Sequence, residues 1–284
     1  MDERTIRLIR SDDVDYVRFR AVKVGVLTGT GTYALDESGD GPEVVSTRWG
    51  DALVTRSTVA AGVEVLHIAR HEEGHRRLSG HVDHRSNIAA LRDLGADCVV
   101  AVTVCGAVDR SVPLGSLMVF DDLHFLANRL PDGSLCTFYD SPGDPLRGHW
   151  IYERPFSDGL RRVLLDACVE AGVPARDGGV YGHVDGPRFN TKAEIRSLAL
   201  AGVTAVSQSA GPETVLCGEA ELPYALLGYA TDYANGVSEE PTPVEELLRL
   251  IGASTGVFRQ VLGCALARLA GASIEPPGVV YRFE

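Results

Sequence analysis

The stretch CVVAVTV, residues 98–104, holds one hydroxyl and no charge in seven positions. A strand with one wet face alternates apolar and polar side chains, whereas an unbroken apolar run suits a strand covered on both faces. The same reading extends outward to 22–28 (VKVGVLT), 63–69 (VEVLHIA), 116–120 (SLMVF), 179–183, 203–207 and 224–230 (YALLGYA). Helical segments fall between these runs, so the chain alternates strand and helix, the pattern of an α/β domain.

The helices carry readable starts and stops. Ser86 is placed to cap NIAALRDL, which ends at Gly95. Ser157 is placed to cap DGLRRVLLDACVEA, whose Leu160, Val163, Leu164, Ala167 and Cys168 share one face, with Gly172 beyond it. TKAE at 191–194 has the capping-box pattern, and Gly202 ends that helix. TPVE at 242–245 has it too, with Pro243 at the first helical position. The last helical region runs to about Leu269, with GASTG at 252–256 as a candidate break. Residues 128–149 are rich in Gly, Pro and Asp and lack periodicity; they read as a surface excursion of the kind that walls an active site or meets another subunit. With no repeat and no linker, residues 1–284 read as a single domain, 1–20 being an N-terminal extension.

A net charge of −12 over 284 residues argues against a nucleic-acid backbone or an anionic membrane as the main partner. It leaves a small anion open, because a local pocket can oppose the global field. The opening MDERTIRLIRSDD has no signal-peptide core, and no apolar run approaches the roughly 18 residues of a membrane span. The six cysteines (Cys98, Cys105, Cys136, Cys168, Cys217 and Cys264) lack CxxC spacing and read as reduced thiols of a cytoplasmic protein. His71, His75, His81 and His84 are dense in sequence but lack an HExxH arrangement, so no metal is expected.

Three strand ends carry donors. After 22–28 comes GTGTYA: Gly29 and Gly31 allow close backbone approach, and Thr30 adds a hydroxyl. This segment matches the looser dinucleotide pattern, with Ala34 as the third small residue, and equally a plain tight turn. After 63–69 comes RHEEGHRRLSG, where Arg70 supplies a fork that fits phosphate oxygens. After 98–102 come Thr103 and the amides beside Cys105 and Gly106. In open α/β sheets ligands collect at the carboxyl ends of strands, so the three together favour an oxyanion site.

The order GTG, RH, TVCGAV, DGPRF, SQSAGPETVLCGEAELPYALLGYATDY resembles the trimeric purine nucleoside phosphorylases, and TFYD and HWIYERPF resemble their methylthioadenosine phosphorylase branch. The likeness runs from Val22 to about Leu269. It implies a central mixed sheet flanked by helices, a homotrimer, no cofactor, and inorganic phosphate as co-substrate. It also implies residue roles. Thr30, Arg70, His71, Thr103 and the amide of Val104 hold phosphate, with Ser209 where the branch has a threonine. His75 lies toward the ribose and its 5′ substituent, Phe189 stacks on the base, and Gln208 stands where the family has a methionine under the ribose. Asp232 contacts the purine, and His149 reaches the 5′ pocket of a neighbouring subunit.

The residues also make chemical sense on their own. Phosphorolysis leaves a cationic sugar beside a departing purine, and the protein's main task is to hold nucleophile and leaving group in line. Asp232 can protonate the base at N7 if burial raises its pKa. The sequence departs from the branch at Thr28, Asp83, His84, Gln208 and Ala234, the last where a second aspartate is usual. Ala234 leaves the choice between 6-amino and 6-oxo purines open. A hydrolytic nucleosidase and a non-catalytic nucleoside-binding homologue remain alternatives.

Overall fold

The structure, a computed structural model, describes residues 21–30, 32, 41–59, 62–270 and 272–283. The 1–20 extension, and Gly31 and Ala34 of the glycine turn, lie outside them. In chain order the elements are β1 (Lys23–Thr28), β2 (Glu43–Thr47), β3 (Gly50–Val59), β4 (Val63–Ala69), α1 (His84–Asp93), β5 (Cys98–Ala107), β6 (Leu117–Val119), β7 (Asp122–His124), β8 (Gly148–Ile151), α2 (Asp158–Glu170), β9 (Ala175–Asp177), β10 (Val180–His183), α3 (Lys192–Leu200), β11 (Val203–Ser207), α4 (Ala210–Glu219), β12 (Tyr224–Tyr233), α5 (Val244–Leu269) and β13 (Val279–Arg282).

Among the described residues, 11 strands form one mixed sheet. Its path runs β2-β3-β4-β1-β5-β11-β10-β7, and β12 branches from β5 to carry β6 and β9. Both faces are covered, as the apolar runs require. Leu27, Leu66, Val99 and Leu226 pack against Ile88 and Leu91 of α1 and Leu216 of α4. Val24, Val65, Val100 and Leu227 pack on the other side against Leu160 and Leu164 of α2 and Phe258, Val261 and Leu262 of α5. Helix α1 sits so close to β1 that a Cβ on Gly25 would lie 2.9 Å from Leu91 Cδ1.

Most terminal signals act as read. Ser157 Oγ accepts from the Leu160 amide, and the Thr191–Glu194 capping box is closed from both sides. Gly95, Gly172 and Gly202 follow their helices with φ of 77°, 67° and 83°. Three expectations need correction. Helix α1 begins two residues before Ser86, at His84, and the Ser86 hydroxyl donates to the Asp83 carbonyl from inside the first turn. Thr242 does not cap α5, because its hydroxyl accepts from the Tyr233 amide and ties the helix entry to β12 instead. Helix α5 crosses GASTG unbroken, since Ser254 is fully buried and satisfied by the Ile251 carbonyl. By length and composition α5 also reaches membrane-span measure, although no apolar run in the sequence approaches it; here its apolar face is part of the core.

Candidate active site

Strand β5 is longer than its apolar run suggested, and its two edges differ. One edge pairs with β12 from Val99 to Ala107. The other pairs with β1 as far as Ala101 and then with β11 from Gly106. Residues 102–105 therefore face a gap between the end of β1 and the antiparallel β11. A change of strand partner of this kind is where open α/β sheets bind ligands. A pocket of about 300 Å³ occupies that place.

The polar end of the pocket is built by strand termini. Gly29 and Thr30 follow β1, His71 follows β4, Thr103 and Val104 belong to β5, and Ser207, Gln208 and Ser209 end β11 and open α4. The Thr103 and Ser207 hydroxyls lie 2.8 Å apart. Ser209 is the residue before α4, so the positive end of that helix dipole points at the pocket. After His71 the chain turns sharply: Glu72, Gly74 and His75 have φ of 54°, 70° and 56°. Left-handed backbone at two non-glycine residues is costly and tends to persist where function fixes it. The turn lays the His75 ring on His71, with centroids 4.4 Å apart and 18° between planes.

His71 Nδ1 lies 2.9 Å from the Arg77 carbonyl. A carbonyl only accepts, so Nδ1 carries the proton and Nε2 is left as an acceptor. Burial, and next the charge of Arg70, push His71 down to about 4, so the ring is neutral at neutral pH.

Arg70 stands one layer further back. It is not among the residues that line the pocket. Its guanidinium is fully buried and donates from Nε and Nη2 to the two carboxylate oxygens of Glu213, and from Nη1 to the Val102 carbonyl at 2.8 Å. Burial opposes its charge, and Glu213 outweighs that opposition. Nη1 remains close to the glycine turn, 3.3 Å from where a Cβ on Gly29 would stand.

The opposite end is apolar with a few polar groups. Phe189, 60 % exposed, Val206, Ile195, Leu247 and Ile251 line it together with Asp232 and Asn235. Asp232 lies within β12, just past an irregularity at Ala230, and its Oδ1 accepts from Thr231 Oγ1 at 2.9 Å. Burial raises its pKa against the lowering pull of that hydroxyl. Gln208 is held from two sides: its Oε1 accepts from Ser79 Oγ at 2.9 Å and its Nε2 donates to the Arg188 carbonyl at 3.1 Å.

One pocket thus collects Thr30, His71, His75, Thr103, Val104, Phe189, Gln208, Ser209 and Asp232. His149 lies elsewhere, in β8, where its backbone pairs with Tyr281 of β13 and its ring meets Phe283 edge-on at 5.3 Å. Ser207, Ser79 and Glu213 were missed. Ser207 had the same signal as Thr103, a hydroxyl closing an apolar strand. Glu213 stands in the GPETVLCGEA block of the family resemblance, but its pairing with Arg70, 143 residues away, leaves no local mark.

A mixed α/β sheet with an anion-suited cluster and an apolar, acid-bearing wall in one pocket defines a small-molecule site at a strand switch. The sequence profile of the phosphorylase superfamily matches residues 23–263. The chain belongs to that superfamily. It is 31% identical over 256 residues to the S-methyl-5′-thioadenosine phosphorylase of Drosophila melanogaster, covering 88% of this chain and 86% of that one. It is 29% identical over 233 residues to the 6-oxopurine nucleoside phosphorylase of Pyrococcus furiosus, covering 81% and 86%. The solved methylthioadenosine phosphorylase of Schistosoma mansoni in complex with adenine superposes with a TM-score of 0.79 at 26% identity, over 88% of this chain and 92% of that one.

Proposed function

We propose that the protein is a purine nucleoside phosphorylase that converts 5′-methylthioadenosine, or a related 5′-modified adenosine, and inorganic phosphate to free purine and sugar 1-phosphate. The observation that carries this reading is one pocket lined both by hydroxyls, a neutral imidazole and a helix N-terminus and by a half-buried carboxyl with a raised pKa, apolar side chains and Phe189.

In this reading Thr30, Thr103, Ser209 and the Val104 amide hold the phosphate, and His71 Nε2 accepts the hydroxyl of monohydrogen phosphate. Arg70 contributes from behind the Gly29 turn. Ser209 orients the attacking oxygen. A phosphate oxygen forms the bond to C1′ as the C1′–N9 bond breaks, and the bonding pair leaves with the purine. Asp232 donates its proton to N7, which its raised pKa favours. Phe189 stacks on the base; Gln208 and His75 face the sugar. His149 of a neighbouring copy completes the 5′ end in a homotrimer. No metal or organic cofactor takes part, and a cytoplasmic place in purine salvage fits this chemistry.

A 6-oxopurine substrate is the second reading. It is favoured by Ala234, which brings no second carboxylate to the base end of the pocket. The test of the main reading is base release from methylthioadenosine with and without phosphate. Saturable dependence on phosphate and a sugar 1-phosphate product are expected; equal rates without phosphate would make the protein a hydrolase, and no turnover with any purine nucleoside would make it a binding homologue.

A further inference from the structure

We propose that Glu213 is a positioning residue that fixes the plane of Arg70 and sets the net charge the anion site presents, a role that rests on the phosphate reading of this pocket. Glu213 lies on α4 with its side chain 1% exposed. Its two oxygens take Arg70 Nε and Nη2, and Tyr224 donates its hydroxyl to Oε2 at 3.1 Å. His84 Nδ1 lies 3.7 Å from Oε1. With Nη1 also given to the Val102 carbonyl, three of the five guanidinium N–H groups are committed. A two-point bond to a planar fork fixes orientation as well as distance. The plane so fixed keeps Nη1 beside Gly29, at the turn that carries Thr30.

The pair is also neutral as a unit. A phosphate dianion in the pocket meets a preset direction of N–H and hydroxyl dipoles rather than an uncompensated cation. That limits how tightly phosphate, and the sugar phosphate formed from it, are held, and so favours release after the chemistry. Removing the Glu213 charge while keeping its shape leaves Arg70 as a buried net cation with a looser plane. Anion affinity should rise and turnover should fall.

The test compares wild type, E213Q and E213D as the full chain, by phosphate titration at saturating nucleoside and by thermal unfolding with and without inorganic phosphate. For E213Q the phosphate KM is expected to drop about fivefold or more and kcat about tenfold, because the dianion gains an unshielded partner. Phosphate should also raise the Tm of E213Q by more than that of wild type, since the anion then compensates the buried charge. E213D keeps the charge but shortens the reach, so its phosphate KM should stay within about twofold of wild type while kcat falls. If E213Q does not fold, E213D decides: a phosphate KM changed well beyond that range overturns the role. An E213Q phosphate KM that is unchanged or raised, in an enzyme whose wild type needs phosphate, also overturns it. Wild-type base release that ignores phosphate sinks the phosphate reading itself, a separate outcome.

Discussion

The hydroxyls of Thr103 and Ser207 lie 2.8 Å apart, joining strands that are 104 residues distant in sequence. Thr103 belongs to the part of β5 that β1 has left and β11 has not yet joined, and Ser207 closes β11. The pair fixes both hydroxyls at the polar end of the pocket.

Replacing Thr103 by Val removes one hydroxyl and leaves the Ser207 hydroxyl without this partner. Loss of a hydrogen bond to a charged ligand costs about 1.5–3 kcal/mol. The phosphate KM should rise roughly tenfold to a hundredfold, with the nucleoside KM little changed. Initial rates across a phosphate titration check it; a change confined to the nucleoside KM would move Thr103 out of the phosphate site.

Base choice should follow Asp232. Once Asp232 has given its proton to N7, the carboxylate left behind repels a 6-oxo group, whereas a 6-amino group can donate to it. An unpaired buried acceptor costs about 1–3 kcal/mol, or roughly tenfold to a hundredfold in specificity. Adenosine and methylthioadenosine are expected to exceed inosine and methylthioinosine in kcat/KM, and Asp232→Asn should shift the preference toward the 6-oxopurines. Preference for the inosine member of each pair would show that Ala234 was the better guide.

His149 sits outside the pocket of its own chain, on the β8–β13 ladder. A contribution to a 5′ site then requires a second copy, and heterologous contacts that close make a ring. Sedimentation should give three chains per particle, and His149→Ala should raise the KM for methylthioadenosine more than for 5′-deoxyadenosine. A fully active monomer would sink both statements.

Stability should fall on mild acidification. Burial, helped by nearby cationic and imidazole groups, lowers His67 and His71 from 6.5 to about 4 and His84 and His183 to about 3. Their folded pKa values lie below the unfolded value, so the unfolded chain takes up more protons below pH 6.5. Each histidine then costs about 1.4 kcal/mol per pH unit, from about pH 6 down toward its folded pKa. Asp232 and Glu219, whose pKa values burial raises, act in the opposite sense, but two groups do not offset four. Tm measured from pH 7.5 to 4.5 should be flat above about 6.5 and drop steeply below it; a level profile to pH 5 would contradict the neutral, buried state of these rings.

The candidate site was legible in part, and the divide follows the range of the interactions. Thr30, His71 and Thr103 could be read because each stands beside the end of an apolar run, and strand ends are where such sheets bind ligands; Ser209 rested on the family resemblance. Hairpin β2–β3 escaped notice because its half-exposed residues, such as Val44, Ser46, Arg56 and Thr58, blur the apolar signal. Asp232 was read as following its strand; the ladder to Gly106 draws it into β12.

What the sequence determined alone is local: unbroken apolar strands that must be buried on both faces, helices stopped by Gly95, Gly172 and Gly202, and donors placed where strands end. The tertiary structure decided what depends on distant partners. It set Arg70 behind the pocket wall, because a buried guanidinium needs a carboxylate and Glu213 arrives from α4. It kept α5 continuous through GASTG, because packing around Ser254 outweighs the weak helix preference of glycine. It also made one pocket from seven separate segments, because β5 exchanges β1 for β11 along a single edge, an event of sheet pairing that no single stretch of chain encodes.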